Sequence, residues 1–264
     1  MREKRVRVSG IEITHPERII YPKEKITKLD VVRYYEKISK KIMPFLKNRL
    51  VSEIRCYTNF SEKFYKKHPQ KNALVESFYV GKKSKQNEYF YINSKKQLIS
   101  EVQLGAVEFH IWNSRIIDIN HPDLMIFDLD PDENLPLTKL REGVMLLKKI
   151  LTKLKLKCSL KTSGGKGYHI FVKVNNMTTK KVANLSKQIA LVLEEKYPNI
   201  FVTNMSKENR KNKIFIDYLR NKRGATCVAP YSLRLRENAP ISVPIPFSQL
   251  NKIAPSQINL LNYK

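Results

Sequence analysis

The run Met125-Ile126-Phe127-Asp128-Leu129-Asp130-Pro131 alternates in a way that suits a β-strand. Residues two apart in a strand point the same way, so Asp128 and Asp130 share a face while Phe127 and Leu129 occupy the other. Pro131 stops the strand and leaves both carboxylates at its end. Two like charges this close are unfavourable unless a cation lies between them. Hard oxygen donors suit Mg²⁺ or Mn²⁺. A two-metal site needs a carboxylate that bridges the ions and a third from elsewhere. Ile214-Phe215-Ile216-Asp217 has the same apolar-then-acid form, which makes Asp217 the candidate third ligand. Acidic residues also end strands as turn formers, and in so basic a chain they form ion pairs, so both alternatives stand beside the metal at this point.

The pattern on either side of this strand is mixed. Upstream, residues 5–14 read as a short extended segment. Thr27 and Asp30 suit the start and first turn of a helix, with Leu29, Val32, Tyr35, Ile38 and Ile42 as its apolar stripe and Pro44 ending or bending it. Val51–Tyr57, Leu74–Val80, Glu88–Ile92 and Val107–Trp112 read as strands, and Ser94–Leu104 as a helix closed by Gly105. Downstream, Leu137–Leu154 and Thr178–Glu195 read as amphipathic helices. Lys157–Thr162 and Tyr168–Val174 form a hairpin, Lys213–Asp217 and Ala225–Ala229 are short strands, and the tail from Pro240 is Pro-rich, then weakly helical. Strands alternating with helices, together with hairpins, give a mixed α/β (α+β) fold rather than a regular parallel one. The expected organisation is an N-terminal module, 1–105, and a catalytic module, 106–264.

The hairpin turn carries the second signal, Thr162-Ser163-Gly164-Gly165-Lys166-Gly167-Tyr168-His169. Glycines allow positive φ and let backbone N–H groups approach an anion, Ser163 adds a hydroxyl and Lys166 a point charge. That describes a phosphate cradle. It is not a Walker A loop, because the spacing is absent and a strand follows. A plain hairpin with a solvated lysine fits the residues equally well. His110 shares a strand face with Glu108 and Trp112 in Glu108-Phe109-His110-Ile111-Trp112.

The chain has 264 residues, 50 Lys+Arg against 24 Asp+Glu and a formal net charge of +26. With 42% hydrophobic residues it is no disordered polycation, and such an excess of charge points to a polyanion, nucleic acid first. A merely solvated Lys-rich surface is the alternative. No apolar run approaches a membrane span and the start has no secretory h-region. Cys56, Cys158 and Cys227 form no CxxC pair, which argues against structural zinc and a disulfide framework and for a reducing cytoplasm.

Taken in order, these segments resemble the primase-polymerase domain of bacterial end-joining ligase D, in the archaeo-eukaryotic primase superfamily. The likeness runs through Thr14-His15-Pro16-Glu17-Arg18-Ile19-Ile20-Tyr21-Pro22, Lys28-Leu29-Asp30-Val31-Val32-Arg33-Tyr34-Tyr35, Phe109-His110-Ile111-Trp112, Phe127–Pro131, Ser163–His169, Ile216-Asp217 and Ala229-Pro230-Tyr231-Ser232-Leu233-Arg234. One such motif is weak; the set in this order is specific.

The resemblance implies the archaeo-eukaryotic primase fold, a mixed central sheet flanked by helices with an N-terminal module. It implies template-dependent nucleotidyl transfer with two divalent ions, Mn²⁺ or Mg²⁺, frequently with a preference for ribonucleotides. Asp128, Asp130 and Asp217 would be the metal ligands. His110, Ser163, Lys166, His169 and Arg234 would hold the incoming NTP or dNTP. On the DNA side, Arg18, Lys28 and Arg55 would form a 5′-phosphate pocket and Phe64 would stack at a gap. Lys207 and Arg210 would lie in a loop that places the primer end.

Two segments depart from the family pattern, Lys23-Glu24-Lys25 after the Tyr-Pro and Arg55-Cys56-Tyr57-Thr58-Asn59-Phe60. No K-x-D-G adenylation motif is present, so the expectation is a stand-alone, nucleoid-associated polymerase. It would serve gaps or double-strand breaks in non-homologous end joining, with a separate DNA ligase and an end-binding protein. The rival readings are de novo primer synthesis, a two-metal nuclease and a non-catalytic DNA end-binding module.

Overall fold

The computed structural model describes residues 6–58, 62–71, 73–206 and 208–264. The described residues up to Trp112, with Val228–Ile241 and Asn259–Lys264, form one compact unit; Asn113–Cys227 and Ser242–Ile258 form another. In chain order the first unit carries β1 (Val6–Val8), β2 (Ile11–Ile13), β3 (Ile19–Tyr21), β4 (Ile26–Thr27), α1 (Lys28–Leu46), β5 (Leu50–Cys56), β6 (Lys63–Lys66), β7 (Glu76–Tyr79), β8 (Glu88–Tyr91), α2 (Lys95–Gln103) and β9 (Ala106–Trp112). The second carries β10 (Leu124–Pro131), α3 (Leu137–Lys153), β11 (Cys158–Thr162), β12 (Tyr168–Lys173), α4 (Thr179–Lys196), β13 (Phe201–Val202) and β14 (Ile214–Asp217). β15 (Thr226–Val228) leads back towards the first unit along the chain, and β16 (Pro244–Ile245) belongs to the second. The N-terminal stretch of the first unit runs to Trp112, past residue 105, and its last strand, β9, is hydrogen-bonded to β5 along most of its length.

In the second unit the sheet order is β13-β14-β10-β12-β11-β16, with β13 and β14 parallel and the other pairs antiparallel. Alternation decides its faces. Met125, Phe127 and Leu129 of β10 are fully buried with Leu140, Val144, Leu147 and Leu151 of α3 and Val182, Ile189 and Leu193 of α4. Burial of such side chains stabilises by about 1.5–3 kcal/mol each. α3 approaches the sheet at Gly143, where a Cβ would stand 2.3 Å from Ile214 Cδ1. Asp128 and Asp130 take the opposite face of β10.

In the first unit, β5 pairs with β9 on one side, and with β8 and then β6 on the other, and β7 extends the sheet beyond β8. α1 starts at a capping box in which the Thr27 hydroxyl accepts from Asp30 N and the Asp30 carboxylate accepts from Thr27 N. Its stripe buries Tyr35 edge-on against Phe109 of β9, with centroids 5.0 Å apart. Pro44 does not end this helix, which runs on to Leu46. So near the C-terminus the proline removes a single hydrogen bond from a well-buried helix.

β3, β4, β6 and β13 have no counterpart in the sequence reading. They are two to four residues long, and β6 is largely exposed. Their pairing comes from the neighbouring strand rather than from any periodicity of their own. The tail forms β16 and a 3₁₀ turn at Phe247–Gln249 rather than an α-helix.

Candidate active site and nucleic-acid interface

β10 lies between β14 and β12, and the register of both pairings passes through Asp128. Its partner on β14 is Asp217 and its partner on β12 is His169, which in turn pairs with Lys161 on β11. Directly opposed residues of an antiparallel pair share a face. Asp217, Asp128, His169 and Lys161 therefore form one row across four strands, with Asp130 two residues further along β10. His169 Nε2 lies 3.2 Å from Asp128 Oδ1, and the buried Cys227 Sγ lies 3.0 Å from His169 Nδ1. Lys161, 2% exposed, donates to Ser242 Oγ at 2.5 Å.

Arg220 reaches the row from the turn after β14. Its Nε is 3.0 Å from Asp217 Oδ2 and 3.6 Å from Asp128 Oδ2. The turn is pinned by the buried Asn221, whose side chain accepts from Ile126 N at 2.8 Å and donates to Ile126 O at 2.7 Å. Arg210 lies over the Phe215 ring, 3.9 Å from its centroid, and its Nη1 donates to Asp130 Oδ2 at 3.3 Å. Arg220, Lys161 and Cys227 were not singled out in the sequence. Arg220 stands three residues after Asp217, which is the only local signal it offers.

The carboxylates respond to this setting in opposite directions. Burial raises the pKa of Asp128, but His169, then Arg220 and Lys161, outweigh it and hold the group well below the usual range. Asp130 is pushed up by burial and by the charge of Asp128, against Arg210 and Lys166. Asp217 is pushed up by burial and Asp128, against Arg220. Acids gathered on one sheet face, two of them raised by the charge of Asp128, are the donor chemistry a hard divalent cation matches. Among the described residues no three His, Cys, Asp or Glu side chains gather around one point as they stand. The donor set fits such an ion in chemistry; its side chains are turned to Arg220, Arg210 and His169.

The turn between β11 and β12 is organised by Ser163. Its hydroxyl accepts from Gly165 N at 3.0 Å and Gly167 N at 3.2 Å, and its N–H donates to Gly167 O at 3.1 Å. A Cβ on Gly167 would lie 2.0 Å from Leu129 O, so only glycine lets the turn close against the strand that bears both acids. Lys166 Nζ meets Glu133 Oε1 at 2.5 Å in a largely exposed ion pair, the kind worth about 0–1 kcal/mol.

In the first unit, His110 and Arg234 meet on a shared acid. Glu108 Oε2 accepts from His110 Nε2 and from Arg234 Nε, each at 2.9 Å, and Glu108 Oε1 accepts from Leu235 N at 2.7 Å.

The same unit holds a pocket of about 280 Å³ whose lining includes Thr14, Arg18, Lys28, Tyr57 and Gln70. Arg18 Nη1 donates to Tyr57 O, and Lys28 Nζ donates to Thr14 O at 2.8 Å. Burial, then the charge of Arg18, lowers the Lys28 pKa to about 8.

Arg55 does not belong to this cationic lining, contrary to the expectation from the family pattern. It is fully buried; Nε donates to Glu53 Oε2 at 2.6 Å, Nη2 to Glu101 Oε2, and Nη1 to Gln70 Oε1 at 2.8 Å. Its guanidinium is thus held by two buried acids and an amide inside the unit. Phe64, 38% exposed on β6, packs against Tyr57 with centroids 5.0 Å apart. Lys207 lies outside the described residues.

The sequence profile described as LigD, primase-polymerase domain, matches residues 27–263. The chain is 33% identical over 253 residues to the multifunctional non-homologous end joining protein LigD of Pseudomonas aeruginosa, spanning 94% of this chain and 30% of that protein. It is 29% identical over 240 residues to the bifunctional non-homologous end joining protein LigD of Bacillus subtilis, spanning 89% of this chain and 38% of that one. The chain thus spans about a third of the length of these relatives. The fold is similar to that of the polymerase domain from Mycobacterium tuberculosis ligase D in complex with DNA, with a TM-score of 0.87 at 24% identity over 95% of this chain and 91% of that one.

Proposed function

The chain belongs to the family of LigD primase-polymerase domains, polymerase-type nucleotidyltransferases, and on that premise we propose that it extends a primer 3′ end against a template at gaps or broken DNA ends bearing a 5′-phosphate. The observation that carries this reading is the row in which Asp217 faces Asp128 across β14 and β10, with Asp130 on the same face. A protein that only bound DNA would gain nothing by setting three acids together beside a polyanion.

Asp128, Asp130 and Asp217 would hold Mn²⁺ or Mg²⁺, two ions in the family pattern. Bound there, such ions would acidify the primer 3′-hydroxyl and neutralise charge on the triphosphate. His169 fixes Asp128 through the Nε2 contact and keeps it ionised. Ser163 shapes the glycine turn by accepting from two of its N–H groups, which sets Lys166 to serve the phosphates, and Lys166 gives up only a weak surface pair with Glu133 to do so. His110 and Arg234 supply the further nucleotide contacts that the resemblance implies. Arg18 and Lys28 receive the 5′-phosphate, and Phe64 with Tyr57 offers a face for a base at the gap. Arg210 and Lys207 serve the primer end.

The setting we infer is non-homologous end joining on nucleoid DNA in the cytoplasm, together with a DNA ligase activity and an end-binding protein. Among the described residues no helix is long and apolar enough to cross a membrane. The test is incubation of a gapped, 5′-phosphorylated duplex, and separately of an unprimed template, with Mn²⁺ or Mg²⁺ and NTPs or dNTPs. Extension of the primed duplex alone is expected. Degradation would indicate a nuclease, primer-free synthesis a primase, and binding without turnover an end-binding module.

A further inference from the structure

Glu108 is a buried acid, 2% exposed, that belongs neither to the Asp row nor to the Arg18–Lys28 pocket. It stands two residues before His110 on β9, so both side chains leave the strand on one face. Burial raises its pKa, but His110, Arg234 and the Leu235 N–H outweigh that and bring it down to about 2. An ionised carboxylate only accepts, so the His110 nitrogen facing it, Nε2, is the one that carries a proton. Glu108 thereby selects the ring's orientation as well as its position.

Arg234 is fixed from behind by its backbone. Its N–H donates to Pro240 O at 2.8 Å, and its carbonyl accepts from the buried Tyr21 hydroxyl at 2.9 Å. The preceding residues are tied to β9 and α1: Ala229 N donates to Phe109 O at 2.8 Å, Phe109 N to Ser232 Oγ at 2.9 Å, and Leu233 N to Tyr35 Oη at 3.0 Å. With the main chain held this firmly, the guanidinium leaves a fixed backbone, and its Nε bonds to Glu108.

We propose that Glu108 is a positioning residue: one buried carboxylate that locks His110 and Arg234 into a single unit for the incoming nucleoside triphosphate, so that its loss weakens nucleotide binding rather than bond formation. This rests on the reading of His110 and Arg234 as nucleotide-binding residues. Charge-assisted bonds to a buried, fixed carboxylate are what such alignment needs, because a long cationic side chain otherwise samples many rotamers.

The experiment is equilibrium binding of radiolabelled ATP in Mn²⁺ without DNA, for wild type, H110A, R234A, E108Q and E108Q/R234A, alongside gap-extension kinetics and thermal midpoints. E108Q should weaken ATP binding by about tenfold or more, raise KM by a similar factor and leave kcat within about threefold. E108Q/R234A should bind ATP within about twofold of R234A alone, since both remove one coupled unit. Unchanged ATP affinity in E108Q, or losses that multiply in the double variant, overturns the role of Glu108. Wild-type ATP affinity in both H110A and R234A overturns the nucleotide reading itself, which is a separate failure. Should E108Q not fold, E108D keeps the charge on a shorter stem; it should still bind ATP more weakly, and wild-type affinity in it overturns the proposal.

Discussion

Asp128 and Asp217 stand directly opposite one another on neighbouring strands, and the Arg220 Nε lies 3.0 Å from the carboxylate of Asp217 and 3.6 Å from that of Asp128. The pairing places two acids at one level of the sheet without any turn or loop between them, so their spacing follows from the backbone register. Asp128→Asn keeps the shape and removes one charge. Primer extension in Mn²⁺ should fall to the blank, while binding of the gapped duplex, followed by fluorescence anisotropy, stays within about twofold. Extension at the wild-type rate would remove Asp128 from the chemistry.

Gly167 packs where a Cβ would collide with Leu129 O, the carbonyl between the two acids of β10. Gly167→Ala must shift the turn or the strand, an overpacking cost of about 1–3 kcal/mol. The thermal midpoint should drop by several degrees, about 2–4 °C per kcal/mol in a chain of this size. Extension should fall further than the lost folded fraction accounts for, because the displaced strand carries Asp128 and Asp130.

Lys28 supplies a pH test. Burial and Arg18 lower its pKa to about 8, so the free protein loses this positive charge as pH rises through that value. A bound 5′-phosphate favours the protonated form. The ratio of affinities for 5′-phosphorylated over 5′-hydroxyl gapped duplex should therefore be high at pH 7 and decline towards pH 9. Lys28→Arg, which keeps its charge, should flatten that profile, and an unchanged slope in this variant would count against Lys28 as the titrating group.

Salt reads the same pocket independently. Loss of one phosphate contact should reduce the slope of log K against log salt by about 0.9 for duplex DNA. The R18A/K28A variant should show a slope shallower by about one unit on the phosphorylated gap and none on the hydroxyl form. Equal slopes for the variant and wild type would deny the pocket a phosphate.

Arg55 and Arg18 should separate cleanly. Removing one partner of a buried, ion-paired group costs about 3–5 kcal/mol. Arg55→Met leaves Glu53 and Glu101 buried without their cation and should lower the thermal midpoint by about 10 °C. Arg18→Met should leave the midpoint nearly unchanged and reduce 5′-phosphate preference. A stable R55M with lost 5′-phosphate preference would restore Arg55 to the DNA surface.

These sites were legible to different depths. The capping box of α1, the turn between β11 and β12 and the shared face of Asp128 and Asp130 lie within a few residues, where backbone geometry alone fixes which side chains meet. Glu53-Ile54-Arg55 carried a local signal too, because strand alternation puts the acid and the base on one face. Glu101, which completes the burial of Arg55, comes from α2 and has no mark in the sequence near it. The family motifs pointed to His110 and Arg234, but the acid joining them could be suspected only from the spacing of Glu108 and His110.

The sequence by itself determined the periodicities and the chemistry on offer: an apolar face for β10, acids on its other face, a glycine turn able to close tightly, and a large positive charge. Only the tertiary structure decided which of these meet. That Asp217 faces Asp128 rather than Asp130, that His169 flanks the same residue from the other side, and that Arg55 is enclosed while Lys28 lines a pocket are consequences of strand register and helix docking. Register is chosen by burying Phe127, Leu129 and their neighbours beneath α3 and α4, and a slip of one residue would turn every acid of the row to the wrong face. That choice depends on contacts far apart in the chain, which no local pattern records.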